Sequence, residues 1–134
     1  MENCIFCKII NGEIPSYKVY EDQDFLAILD ISQTTKGHTL VIPKKHTTNL
    51  LDTDRQTIEQ AYGVATDIAK KLVSKLNADG VNIIQNNNEV AGQTVFHFHI
   101  HIIPRYDDKN NDSIDIKFHS TKQDFDQLLK DIND

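Results

Sequence analysis

Three histidines alternate strictly with apolar residues in His97-Phe98-His99-Ile100-His101-Ile102-Ile103. A strand sends successive side chains to opposite faces, so the histidines share one face while Phe98, Ile100 and Ile102 face a core. One histidine on a half-buried strand needs no function. Three in register, just after Gln93-Thr94, put three groups that exchange protons near neutral pH on one surface. A shared metal ion is one use for them. Residues i and i+2 of a strand lie about 6.8 Å apart and i and i+4 about 13.6 Å, while zinc–nitrogen bonds are only about 2.0–2.1 Å long. Two neighbours could lean onto one ion, but three on a regular strand could not. Attack at phosphorus is a second use. A neutral imidazole is a good nucleophile, and an adjacent one can donate a proton to the departing group. Gln93 and Thr94 then offer neutral donors to phosphate oxygens.

Cys4-Ile5-Phe6-Cys7 is the second constellation. It reads as a redox pair, as two inert buried thiols, or as half of a tetrahedral zinc site that needs two more ligands. No thioredoxin-like βαβ pattern surrounds it, and His46 and His97 are available to complete a zinc set. His38, after Gly37, either faces the histidine cleft or is an ordinary strand end. Asp30, at another strand end, either accepts hydrogen bonds from a sugar diol or is simply solvated. His119 reads as solvated.

These side chains need elements to place them. Cys4–Ile10 reads as a short helix stopped by Asn11-Gly12 and Pro15. Strands are predicted over Tyr17–Glu21, Phe25–Leu29, His38–Pro43, Val81–Gln85 and Thr94–Pro104. A long helix, capped by Asp52 or Thr53, runs to about Asn77 and is stopped by Ala78-Asp79-Gly80. Its residues Ile58, Ala61, Ala65, Ile68, Ala69, Leu72, Val73 and Leu76 recur at three and four, as one buried stripe. Asn86–Gln93 is a polar loop and Lys109–Asp112 reads as mobile. Phe125, Leu128, Leu129 and Ile132 have the spacing of a short terminal helix starting near Ser120 or Thr121. The fold class is α+β: a five-stranded antiparallel sheet with one long helix and short terminal helices, the helices to one side. A sheet with free edges can pair with a second copy.

The chain of 134 residues, 39% hydrophobic and 25% charged, has the size and composition of a single globular domain over residues 1–134. A formal net charge of −6 argues against nucleic-acid backbones and anionic membranes as partners. No apolar run is long enough to span a bilayer, and the N-terminus lacks the basic and apolar regions of a signal peptide. A cytoplasmic location follows as the expectation, with the cysteines as thiols or metal ligands rather than a disulfide.

Gly92-Gln93-Thr94-Val95-Phe96-His97-Phe98-His99-Ile100-His101-Ile102-Ile103 resembles the signature of the histidine triad (HIT) superfamily. The likeness extends to Cys4–Ile10, to Glu13-Ile14-Pro15, to Phe25–Ser32 and to Gly37–His46, so it covers most of residues 4–106. The resemblance implies a nucleotide hydrolase that cleaves at the α-phosphorus of a nucleoside 5′-phosphate conjugate, with a purine nucleotide as substrate. His99 matches the position that forms a nucleotidyl-histidine intermediate. His101 and His38 match supporting positions that handle phosphate or proton contacts, and the carbonyl of His97 would orient the His99 ring. Asp30 matches a ribose-hydroxyl acceptor, and Ile5, Phe6, Ile9 and Ile31 a base-binding wall. Asn86, Gln93 and Thr94 match positions near the phosphate or leaving group. Some bacterial members, and the related galactose-1-phosphate uridylyltransferases, bind zinc with residues matching Cys4, Cys7, His46 and His97, so a closed structural zinc is implied. Hydrolase members are usually homodimers. Pro104-Arg105 resembles the dinucleoside-polyphosphate hydrolases, whereas the N-terminal half is more similar to the nucleoside phosphoramidases and their bacterial relatives. The alternative is a nucleotide- or partner-binding module with little turnover.

Overall fold

The computed structural model describes residues 3–107 and 118–134. The expectation for Lys109–Asp112 falls outside the described residues. Five strands form one antiparallel sheet: β1 (Lys18–Glu21), β2 (Phe25–Leu29), β3 (Thr39–Pro43), β4 (Gly80–Ile84) and β5 (Ile100–Arg105). Their order is β1-β2-β3-β5-β4, so the histidine-bearing strand lies between β3 and β4 rather than at an edge. The helices are α1 (Ile5–Ile10), α2 (Arg55–Leu76) and α3 (Phe125–Asn133).

The apolar stripe of α2 packs where its spacing places it. Ala61, Ala65, Ile68, Ala69 and Leu72 meet Phe25, Ala27, Val41, Phe98, Ile100 and Ile102 on one face of the sheet. Three alanines in that stripe let the helix approach the strands closely. The helices do not all lie to one side. Phe6 of α1 packs with Leu26, Ile28, Leu40 and Ile42 on the opposite face. β2 is apolar on both faces and β3 carries a single polar residue, Thr39, on the α2 side, so a single layer of helices would leave an apolar face in water.

Two helix starts differ from expectation. The N-cap of α2 is Asp54, whose carboxylate accepts from Thr57 N; Asp52 instead closes a short 3-10 turn with Asn49. The other end of α2 falls where expected, at Asn77, which caps the helix in the left-handed region at φ 55°. α3 begins after its cap Asp124, not near Ser120, and its Phe125, Leu129 and Ile132 are exposed.

The largest difference concerns β5, which starts at Ile100 rather than Thr94. Val41 pairs with Ile100, so a longer ladder would set Phe98 opposite Pro43. Proline has no N–H to give. The Phe98 N–H turns to the Thr47 carbonyl instead, at 2.9 Å. Only His101 therefore belongs to the regular ladder. The alternation still holds, because Phe98 stays in the α2-side core while the rings of His97 and His99 lie beside Phe6 on the other face.

Gly37 opens β3 at φ +95°, and a Cβ there would lie 2.6 Å from Leu76 Cδ1 and 3.3 Å from Pro104 Cγ. Leu76 can swing away, but the backbone strain stays. Gly37→Ala is expected to destabilise the protein by about 2 kcal/mol. Thermal melting checks this, and an unchanged midpoint would contradict the conformation assigned here.

Candidate active site and metal centre

His99 is held by the backbone just before β5. Its Nδ1 lies 2.7 Å from the His97 carbonyl oxygen. A carbonyl can only accept, so Nδ1 carries the hydrogen and the neutral ring keeps its lone pair on Nε2. The Phe6 ring stands edge-on at 5.0 Å, and the His101 ring is 4.9 Å away. Burial pushes the His99 pKa below the usual imidazole range, against the opposing His97 hydrogen bond and the Asp30 carboxylate. The ring is therefore neutral at neutral pH, with a nitrogen free to attack.

His101 and His38 form a second unit. His38, read from sequence as either a cleft residue or a strand end, is buried. Its Nε2 lies 2.9 Å from His101 Nδ1 and 3.6 Å from Asp30 Oδ2. Its Nδ1 accepts the backbone N–H of Thr34 at 3.2 Å. The Thr34 amide hydrogen at Nδ1 and the Asp30 carboxylate on the Nε2 side together assign the His38 proton to Nε2. That proton donates to His101 Nδ1, and His101 keeps its own on Nε2. His99 and His101 thus hold opposite tautomers, one presenting a lone pair and the other an N–H. Burial is the largest cause of lowered pKa in both supporting rings, taking His101 to about 4.

Cys4, Cys7, His46 and His97 converge from three distant segments, their ligand atoms all within 4.8 Å of one another. Cys4 Sγ is 3.3 Å from His97 Nδ1, Cys7 Sγ is 3.3 Å from His46 Nδ1, and the two Nδ1 atoms are 3.1 Å apart. A tetrahedral zinc with bonds of about 2.0–2.3 Å sets its donors about 3.3–3.8 Å apart, so these edges fit to within a few tenths. The chemistry of the donors fits as well. His97 Nε2 donates to the Pro43 carbonyl at 2.7 Å, which leaves the Nδ1 lone pair for an ion. Burial and the adjacent Cys4 push the Cys7 thiol up to about 11, so a thiolate pair here requires a cation beside it. A cleft of about 490 Å³, lined in part by Cys4, His46 and Phe96, gives access from solvent. Asp30, His38 and His101 form another convergent group. It suits a metal less, because ligation through His38 Nε2 would move that ring's hydrogen onto Nδ1, against the Thr34 amide.

The remaining predicted residues divide. Phe6 is buried against His99, Ile5 and Ile9 are partly exposed beside it in sequence, and Ile31 is 89% exposed. Asp30 Oδ1 accepts from Ser32 N, and its Oδ2 faces His38. Thr94 is exposed and Asn86 half-buried. Gln93 is fully buried and committed. Its Nε2 donates to the Thr48 and Val95 carbonyls, and its Oε1 accepts from Asn49 Nδ2 and Asn88 N. In this structure it holds the loop before His97, and a phosphate contact from its side chain would break one of those bonds. Asn49, Asn88 and Gln33 were not legible as site residues, because polar residues in loops follow no periodicity.

Because His101 titrates near 4 in the folded state against about 6.5 unfolded, the unfolded chain binds more protons between those values. Stability then rises with pH across that window and is lost as pH falls through it. His101→Asn is expected to flatten this dependence by about one proton near pH 5. Denaturant unfolding at several pH values measures it, and an unaltered slope would contradict a buried neutral ring.

A family model described as HIT domain matches residues 11–108. A Streptococcus mutans protein of solved structure, SMU.412c, matches with a TM-score of 0.89 and 51% identity, over 98% of this chain and 84% of that one. A zinc-bound histidine triad family protein from Mycobacterium smegmatis matches with a TM-score of 0.79 and 45% identity, over 83% of this chain and 81% of its own. The adenosine 5′-monophosphoramidase HNT1 of Saccharomyces cerevisiae is 41% identical over 127 residues, 95% of this chain and 77% of the yeast protein. With its histidine segment in this geometry inside that match, the chain belongs to the HIT family.

Proposed function

We propose that this chain hydrolyses nucleoside 5′-phosphate conjugates, phosphoramidates or dinucleoside polyphosphates, at the α-phosphorus through a covalent nucleotidyl-His99 intermediate. The observation that carries this reading is the His99 Nδ1–H bond to the His97 carbonyl, which leaves Nε2 as a free nucleophile. His99 Nε2 attacks phosphorus, a P–N bond forms, and the bond to the leaving group breaks. His101 hydrogen-bonds the departing atom through its Nε2–H, and that group takes its proton from solvent. Water then attacks phosphorus, expels His99 and gives a proton back to solvent, releasing a nucleoside monophosphate. Asp30 accepts from the ribose hydroxyls, and Ile5, Phe6, Ile9 and Ile31 receive a purine base. Asn86, Thr94 and the backbone held by Gln93 lie near the leaving group. The yeast relative's activity supports the reaction class.

Cys4, Cys7, His46 and His97 are read as the ligands of one structural zinc, which cross-links three segments and performs no step. The zinc-bound relative supports this. A cytoplasmic homodimer is the form proposed. Edge strand β4 and an apolar groove of Ala69, Val73, Val81 and Ile83 beside it support the dimer.

His99→Ala is expected to lower turnover of an adenosine phosphoramidate by more than tenfold while nucleotide binding, measured by calorimetry, persists. More than a tenth of normal activity in the variant would rule out the covalent route. Cys4→Ser with Cys7→Ser is expected to remove the metal and lower the melting temperature, yet leave a measurable rate in the cold. Metal analysis of protein purified without chelator tests the assignment. Absence of zinc, or a rate that vanishes and returns strictly with added metal in folded protein, would overturn it.

A further inference from the structure

The loop between β2 and β3 carries Asp30 at one end and His38 at the other. Gln33, at its centre, is exposed, yet its side chain turns back on its own loop. Oε1 accepts from Gly37 N at 2.8 Å and from His38 N at 3.1 Å. Nε2 donates to the Asp30 carbonyl at 2.5 Å and to the His38 carbonyl at 2.7 Å. Two N–H groups face the oxygen and two carbonyls face the nitrogen, so the orientation of the amide is determined by its partners. An exposed glutamine satisfied by water needs no such arrangement. This one acts as an additional peptide group, bridging the two chain ends that Asp30 N and His38 O already join at 2.9 Å. The turn it closes has Gly37 in the left-handed region and delivers the Thr34 N–H to His38 Nδ1.

We propose that Gln33 is a positioning residue that decides which nitrogen of His101 carries the proton. By clamping the loop it aims the Thr34 amide at His38 Nδ1. His38 must then donate from Nε2 to His101 Nδ1, and the His101 proton stays on Nε2, the ring edge turned away from His38. No side chain of this loop need touch substrate for the effect to reach the leaving group. The proposal deepens the hydrolase reading and rests on it for the atom that this N–H meets.

Long-range ¹H–¹⁵N correlation of the histidine rings at neutral pH tests the clamp without turnover. The wild-type protein should show Nε2–H tautomers at His38 and His101 and an Nδ1–H tautomer at His99. Gln33→Leu, similar in size but without polar atoms, should make His38 and His101 tautomer mixtures and leave His99 unchanged. Gln33→Glu, which sets a carboxylate oxygen against two carbonyls, should do the same and covers the case in which the leucine variant fails to fold. In kinetics, an adenosine phosphoramidate with a basic amine leaving group should lose about 10–100-fold in kcat, the range of a misplaced donor to the departing atom. A phenolic ester of AMP, whose leaving group needs no proton, should lose less than about threefold. A His101 proton on Nδ1 in the wild type, unchanged tautomers in both variants, or equal losses on the two conjugates would overturn the proposal. A wild-type protein that turns over neither conjugate would refute the hydrolase reading, and the tautomer shift would still decide for or against the clamp.

Discussion

The hydrogen bond from His99 Nδ1 to the carbonyl of His97 depends on where the backbone of residue 97 is pinned. The His97 ring is fully buried, with Nε2 on the Pro43 carbonyl and Nδ1 in the cysteine–histidine cluster. One residue therefore joins the cluster through its side chain to the nucleophile through its main chain. The ring must be held on both nitrogens for the carbonyl to be held in place. The rest of the arrangement follows from this: the bend before β5, the contact between Phe6 and both rings, and the seating of α1 on the face opposite α2.

The two halves of the site select tautomers by opposite means. A carbonyl acceptor puts the hydrogen of His99 on Nδ1. An amide donor removes it from Nδ1 of His38 and, one ring further, from Nδ1 of His101. The carbonyl that assigns His99 cannot titrate, so that assignment does not drift with pH, and at His38 the Asp30 carboxylate, 3.6 Å from Nε2, favours the same proton position as the Thr34 amide. Burial lowers the pKa of all three rings and keeps them neutral, which preserves both the lone pair and the neutral donor. An acidic protein can in this way address an anionic phosphate without a cluster of cations. Lys44, beside the site in sequence, is already paired with Glu21 at 2.9 Å.

Much of this was readable as period and spacing. Phe25–Leu29 is the strand expected, residue for residue, and the stripe from Ile58 to Leu76 lies along α2. Boundaries failed where a competing group was local and chemical. Pro43 ends a ladder that alternation alone would extend to Thr94, and Asp54 captures Thr57 N, leaving Asp52 to Asn49. Placing all helices on one side failed because it treated β2 and β3 as half-buried, although neither contains a polar residue facing away from α2.

By itself the sequence determined what repeats at short range: which residues of each strand share a face, which helical positions are apolar, and that three histidines lie on one surface with a Cys-x-x-Cys nearby. Only the tertiary structure decided what those residues meet. Cys4 reaches His97 across 93 positions, and His46 reaches it across 51. His38 finds His101 across 63, and Gln93 turns inward to Asn49 across 44 rather than toward a ligand. Periodicity assigns a side chain to a face, but the hydrogen on a ring nitrogen is assigned by whichever donor or acceptor lies opposite. In this protein those partners are backbone groups, the carbonyls of Pro43 and His97 and the amide of Thr34, and a backbone group is the same in every sequence until the fold places it.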